Sequence, residues 1–169
     1  LGGGDTGSDC LGTAHRQGAR SVTQLEILPR SPDQRAADNP WPQWPKVYKL
    51  DYGQEEARAL QGADPRQYQV LTTRFVGDAD GRVKELHLVS VEWRKGADGR
   101  FGPNPVAGSE RVIPADLVLL ALGFTGPEKS LPGQLQCKLD DRGNVWTDAD
   151  KMTSVPGIFA AGDMARGQS

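Results

Sequence analysis

Long apolar runs are missing from this chain of 169 residues. The longest, LVLLAL from Leu117 to Leu122, falls far short of the roughly 20 residues that a spanning helix requires, so no membrane insertion is expected. A basic excess is missing too. The formal net charge is -2, whereas neutralising nucleic-acid phosphates takes clustered Lys and Arg, so no nucleic-acid partner is expected. Cysteine is scarce. Cys10 and Cys137 lie far apart with no CxxC pairing, which argues against a disulfide framework or a metal knuckle; no metal ligand is assigned, and a reducing cytoplasm is the default compartment. Neither His15 nor His87 has a Cys, Asp or Ser neighbour at a spacing that suggests a triad, and no catalytic residue is assigned. An initiating Met and a visible signal peptide are also absent, and the chain reads as a piece cut from a longer protein at both ends.

Hydrophobic residues make up 37% of the chain and the mean hydropathy is -0.54, values of a globular protein with a modest core. The opening LGGGDTGSDC carries Gly2, Gly4 and Gly7 at the GxGxxG spacing, in which a strand ends, the chain turns tightly and a helix opens with free N–H groups toward a pyrophosphate. The segment Ser8 to Ala19 is expected to be that helix, with Cys10, Leu11 and Ala14 near one face and Gly18 at its C-terminal cap. The run SVTQLEIL, Ser21 to Leu28, reads as the following strand. Prolines then forbid a regular element over most of Pro29 to Pro45, an ordered loop or lid in which NPWPQWP is expected to pack its aromatics rather than present them to a partner.

Asp51 to Gly62 has the composition of a helix that stops at glycine, and DPRQYQVLTTRFVGD leads from a turn into a strand. RVKELHLVSVEWRK and FGPNPVAGSERVIPAD flank the GADGR turn as an antiparallel hairpin. DLVLLALGF, Asp116 to Phe124, reads as a fully apolar strand inside a sheet covered on both faces. A loop-rich stretch with a turn at DDRGN follows, and VPGIFAAGDMARGQS gives a short apolar strand leading to Gly162 and Asp163 before a helix. The fold class is therefore α/β and Rossmann-like, of the FAD/NAD(P)-binding type, with a parallel sheet and an antiparallel hairpin or meander.

Two constellations point to cofactors. Beyond the glycine turn, Glu26 stands where an acid can bind the ribose 2′-hydroxyl of NADH, while Arg30 and Arg35 can hold the 2′-phosphate of NADPH; the bland readings are a solvated strand end and a soluble proline-rich loop. At the other end, the Asp163 carboxylate either caps a helix or accepts a hydrogen bond from a flavin ribityl hydroxyl, and Gly123 with Phe124 sits at the crossing between two nucleotide domains.

GGGDTGSDC, LEILPRSP, NPWPQWPKVYKLDYGQEEA, ADLVLLALGFTGPE and VPGIFAAGDMARGQS together resemble the small-subunit family of glutamate synthase across essentially the whole chain, and the same pattern occurs in the C-terminal part of single-chain NADH-dependent enzymes. The resemblance implies an NAD(P)H-binding domain over residues 1–114 and the return into an FAD-binding domain over 115–169. It also implies 4Fe-4S clusters in an N-terminal part outside this chain, and a large subunit, or a fused large-subunit domain, that makes glutamate from 2-oxoglutarate and glutamine. On motif matching, Gly2, Gly3, Gly4, Asp5, Thr6 and Gly7 approach NADPH or NADH, with Glu26, Arg30 and Arg35 at its ribose or phosphate. Gly123, Phe124, Gly162, Asp163, Gly167, Gln168 and Ser169 lie toward FAD. The alternatives are a related flavin and iron–sulfur reductase with another acceptor, and a non-catalytic dinucleotide-binding module.

Overall fold

The computed structural model describes residues 1–96 and 99–167 and divides into two compact units, Leu1–Leu122 and Gly123–Ser169. Gln168 and Ser169 lie outside the described residues, as do two residues of the GADGR turn.

In the first unit, helix α1 spans Asp5–Arg16, three residues earlier than the sequence suggests at its start. Its end is a Schellman turn: Ala19 N donates to Ala14 O, Gly18 N donates to His15 O, and Gly18 takes φ +91. Gly18 thus closes the helix as expected, one residue past the cap Gln17. Of the expected core face only Leu11 is buried; Cys10 and Ala14 are half-buried. Helix α2, Tyr52–Gln61, has both ends written in its sequence. Asp51 and Gln54 form a capping box, Asp51 N donating to Gln54 Oε1 at 2.7 Å, and Gly62 closes the helix in the left-handed conformation. The two helices approach closely at Gly53, where a Cβ would lie 2.0 Å from Ser8 O, and Arg16 and Glu56 pair across them at 2.7 Å.

The expected strand Ser21 to Leu28 shortens to β1, Gln24–Leu25, paired in parallel with β2, Arg66–Gln67. Hydrogen bonds continue this parallel layer on the other side, from Gly2 N to Leu25 O and from Ala121 N to Leu1 O. A four-stranded antiparallel meander follows: β3 (Val70–Gly77), β4 (Val83–Lys95), β5 (Phe101–Pro105) and β6 (Arg111–Pro114), with β3, β5 and β6 all pairing with the long β4. Thr73 bulges out of β3 opposite His87 and Leu88, and the buried positions of β4 change phase there, Leu86 and Leu88 giving way to Val89 and Val91. Leu25, Val70, Leu86 and Leu88 form the core, which joins the parallel layer to the meander.

Two expectations fail in this unit. Residues 116–122 form no strand, and Leu117 and Leu122 are each 70% exposed. Among the described residues this segment bonds Leu1, whose N-terminus donates to Leu119 O and whose carbonyl accepts from Ala121 N, and two such bonds do not make a ladder. Nor does the NPWPQWP loop pack its aromatics: Trp41 is 83% and Trp44 78% exposed. The loop is instead built around buried Asn39, whose amide bonds Gln43 and the Trp44 carbonyl and whose Oδ1 accepts from Lys46 N.

The second unit is loop-rich, with helices α3 (Ser130–Gln134) and α4 (Asp163–Arg166) and isolated β-bridges. The short strand expected before Gly162 reduces to the single bridge Met152–Phe159. Tight Asp turns hold this unit. Asp140 accepts from the backbone N of Arg142 and Asn144, and Asp148 accepts from Asp150 and Met152 in the same way. The fourth turn residue takes positive φ in each, Gly143 at +84 and Lys151 at +69. Among the described residues no helix is long and apolar enough to cross a membrane.

Candidate functional site

The glycine turn is held in shape by its own chain. Gly2 has φ +113, and a Cβ there would lie 2.0 Å from Ala121 O; a Cβ on Gly7 would lie 2.4 Å from Gly2 O. Buried Gln24 fixes the turn from below, its Nε2 donating to Gly2 O at 2.9 Å while its Oε1 accepts from Gln54 Nε2. Glycine turn, β1 and α2 thus share one buried polar chain. Neither glutamine was assigned from the sequence, because a Gln in a strand or in a helix carries no signal of a partner 22 or 30 residues away.

Glu26 follows β1 directly. Its backbone is paired on both sides, Glu26 N donating to Gln67 O and Val70 N donating to Glu26 O. Its carboxylate accepts from Leu28 N at 2.9 Å through Oε1, while Oε2 lies so close to Gly3 that a Cβ there would come within 2.0 Å. Beyond it, the Trp93 indole donates to Ile27 O at 2.8 Å and anchors the strand end to the meander. The acid therefore faces the glycine turn in a fixed pose.

Gly3, Gly4, Asp5 and Glu26 line a cavity of about 320 Å³ together with Ser8, Ser31, Tyr48, Lys49 and Arg66. Gly4 caps α1 without any side-chain bond, so the N–H groups of the first helical turn lack an intrahelical acceptor, and open space surrounds Gly4. The Ser8 hydroxyl is buried and has no hydrogen-bond partner among the described residues. A narrow glycine approach, free amide donors, a carboxylate across from them and an orphaned hydroxyl fit the phosphates and ribose of a dinucleotide.

Thr6 is exposed on the first turn of α1, outside the lining, and Gly2 and Gly7 lie behind it against a second, larger hollow of about 530 Å³. Arg30 pairs with Asp33 at 2.6 Å, and its guanidinium carbon sits 3.7 Å from the centre of the Tyr48 ring. Arg35 turns away into its own loop, donating to the carbonyls of Asn39 and Gln43. Sequence reasoning also missed the cluster beside Tyr48. Asp64 accepts a two-point contact from Arg66 and a 2.5 Å hydrogen bond from the Tyr48 hydroxyl. Partial burial raises the Asp64 pKa, but the bonds from Arg66 and Tyr48 outweigh it and hold the carboxyl down to about 2. The hydrogen bond to Asp64 raises the Tyr48 phenol above its ordinary value and keeps it neutral.

In the second unit, Gly123 takes φ +85 and Phe124 is 77% exposed. Gly162 takes φ +60 and is the cap residue of α4, with Asp163 exposed in the first turn; no side-chain cap bond forms, so Asp163 is not the plain cap of that helix. Gly167 closes α4 at φ +84 against Asn144. Cys137 lies 3.8 Å from the Thr153 hydroxyl. Among the described residues no group of His, Cys, Asp or Glu is placed to hold a metal ion, and an iron–sulfur cluster does not fit the residues described.

The chain is 51% identical over its full length to a glutamate synthase [NADH] of Schizosaccharomyces pombe, of which it spans 8%. It is 50% identical over its full length to a glutamate synthase [NADPH] small chain of Mycobacterium tuberculosis, of which it spans 32%. The chain therefore spans about a third or less of the curated relatives it matches. A solved thioredoxin reductase of T. acidophilum shares the fold, with a TM-score of 0.63 at 23% identity over 99% of this chain and 43% of that one. Residues 81–169 match the family model described as pyridine nucleotide-disulphide oxidoreductase, and the chain belongs to that family of FAD- and NAD(P)-linked α/β folds.

Proposed function

We propose that this chain is the dinucleotide-binding part of a glutamate synthase, working in the hydride transfer from NADH to FAD. In this reading electrons then pass through iron–sulfur clusters carried elsewhere in the full protein to a large subunit, or a fused large-subunit domain, where 2-oxoglutarate and glutamine become glutamate. The observation that carries it is the Glu26 carboxylate set against the glycine turn over a cavity with free helix N–H groups. Identity of 50% and more to relatives bearing that name supports the reaction.

When bound, nicotinamide and flavin supply the hydride exchange between them; the chain's residues position and discriminate. The first turn of α1 offers amide donors to the pyrophosphate, the Ser8 hydroxyl offers one more polar contact, and Glu26 accepts from a ribose 2′-hydroxyl. The same carboxylate repels a 2′-phosphate. Arg30 is already neutralised by Asp33 and Arg35 is committed to its loop, which favours NADH over NADPH. Residues 1–114 are the NAD(P)H-binding part in this reading and 115–169 the return into the flavin domain. Gly162, Asp163 and Gly167 face the flavin there, Asp163 accepting from a ribityl hydroxyl and Gly123 and Phe124 standing at the crossing. Gln168 and Ser169 belong to the same assignment.

The test uses the full-length protein with its large subunit or fused domain. Purified, it is expected to be yellow and to form glutamate from 2-oxoglutarate and glutamine in step with NADH oxidation. NADH-dependent dye reduction without glutamate would favour a related flavin reductase serving another acceptor.

A further inference from the structure

Arg30 is the residue whose setting differs most from its expected role. Its charge is matched by Asp33 at 2.6 Å, and its guanidinium carbon lies over the Tyr48 ring, 3.7 Å from the centroid, while 43% of its side-chain surface stays open to solvent. The ring covers the guanidinium on that side, which leaves its open surface turned away from the ring. Tyr48 itself cannot swing away. Its hydroxyl is fixed by Asp64, Asp64 is fixed by Arg66 at two points, Arg66 Nη1 donates to Lys49 O, and the Arg66 guanidinium carbon lies over the same Tyr48 ring at 4.6 Å.

The arrangement presents a flat, delocalised surface on a rigid backing, four residues beyond Glu26 and on a ring that lines the same cavity. Bases stack on guanidinium planes, and a plane held in advance loses little freedom when it is used. We infer that Tyr48 is a positioning residue which, anchored by Asp64 and Arg66, holds the Arg30 plane as the shelf for the purine base of the dinucleotide. The inference rests on reading the cavity as a dinucleotide site: with the pyrophosphate at α1 and the ribose at Glu26, the base is the next group along.

Plane and charge can be separated in the full-length protein by Arg30→Lys, which keeps the charge, and Arg30→Tyr, which keeps a plane. The substrates are NADH and reduced nicotinamide mononucleotide, which lacks the adenosine half. Arg30→Lys is expected to raise KM for NADH about tenfold with kcat within about twofold, the size of one lost stacking contact, and to leave kcat/KM for the mononucleotide unchanged. Arg30→Tyr is expected to restore the NADH KM, and Tyr48→Leu to behave like Arg30→Lys. Wild-type NADH kinetics in Arg30→Lys would overturn the shelf in favour of a charge contact. An equal loss for NADH and the mononucleotide in Tyr48→Leu would overturn it in favour of a general structural role. If Glu26→Gln also leaves the KM of both NADH and NADPH unmoved, the failure lies in the dinucleotide reading itself; a Glu26→Gln effect without Arg30 effects confines it to the shelf.

Discussion

Two glycine-rich turns open helices in this chain, and they need glycine for different reasons. At Gly2 and Gly7 the space is already taken, by Ala121 O and by Gly2 O, so a methyl group has nowhere to go. At Gly162 the surroundings are open and only φ +60 asks for glycine. The first turn leads into a helix of 12 residues clamped by Gln24 and by a second helix; the second leads into one of 4 residues whose first acidic residue is exposed. A motif of glycines thus marks a packing constraint in one place and a backbone constraint in the other.

Alanine substitution separates the two most strongly. Gly2→Ala meets both a positive φ and a backbone clash and is expected to cost about 3 to 5 kcal/mol, whereas Gly162→Ala meets the φ term alone, about 1 to 2 kcal/mol. Denaturant titration of the full-length protein checks the order, and equal losses at the two sites would erase the distinction. Next in size is Asp163→Ala. A charged hydrogen bond to the flavin ribityl chain is worth roughly 1.5 to 3 kcal/mol, so flavin should be lost on dialysis while NADH affinity holds. Unchanged flavin content would remove Asp163 from the flavin site.

Acid sharpens the comparison further, because the first region contains the Asp64 cluster. A carboxyl whose folded pKa is about 2, against 3.8 for the unfolded chain, contributes stability that is fully present above pH 3.8 and is lost as the pH falls through about 2. Asp64→Asn should therefore cost about 1 to 2 kcal/mol at neutral pH, allowing for solvent screening, and the gap to wild type should close between pH 4 and 2. Chemical denaturation across that range measures it; a gap that is flat to pH 2 would mean the cluster contributes through packing instead.

The sequence made local features legible and non-local ones not. Composition and the closing Gly62 mark α2 because a glycine cap is satisfied within a turn, whereas the Asp51–Gln54 capping box at its start emerges only in the structure; the glycine turn and Glu26 follow from a fixed spacing. Asp116 to Phe124 reads as a buried strand because apolar composition says nothing about whether neighbours run alongside; among the described residues two hydrogen bonds to Leu1 are not enough to make one. The tryptophans of NPWPQWP suggest packing, yet it is polar Asn39 that organises the loop. The Asp64–Arg66–Tyr48–Arg30 cluster joins residues from three places in the chain, and Arg30 in isolation reads as a phosphate ligand rather than a cation set over a ring.

The central claim is that Glu26, facing the glycine turn, reads the ribose of a dinucleotide. The most direct measurement is kcat/KM for NADH and NADPH in the full-length protein and its Glu26→Gln variant. The account predicts a wild type that prefers NADH and a variant whose NADPH-to-NADH ratio rises by roughly tenfold or more, the effect of removing about 1.4 kcal/mol of repulsion. A ratio that is the same in both proteins would contradict it.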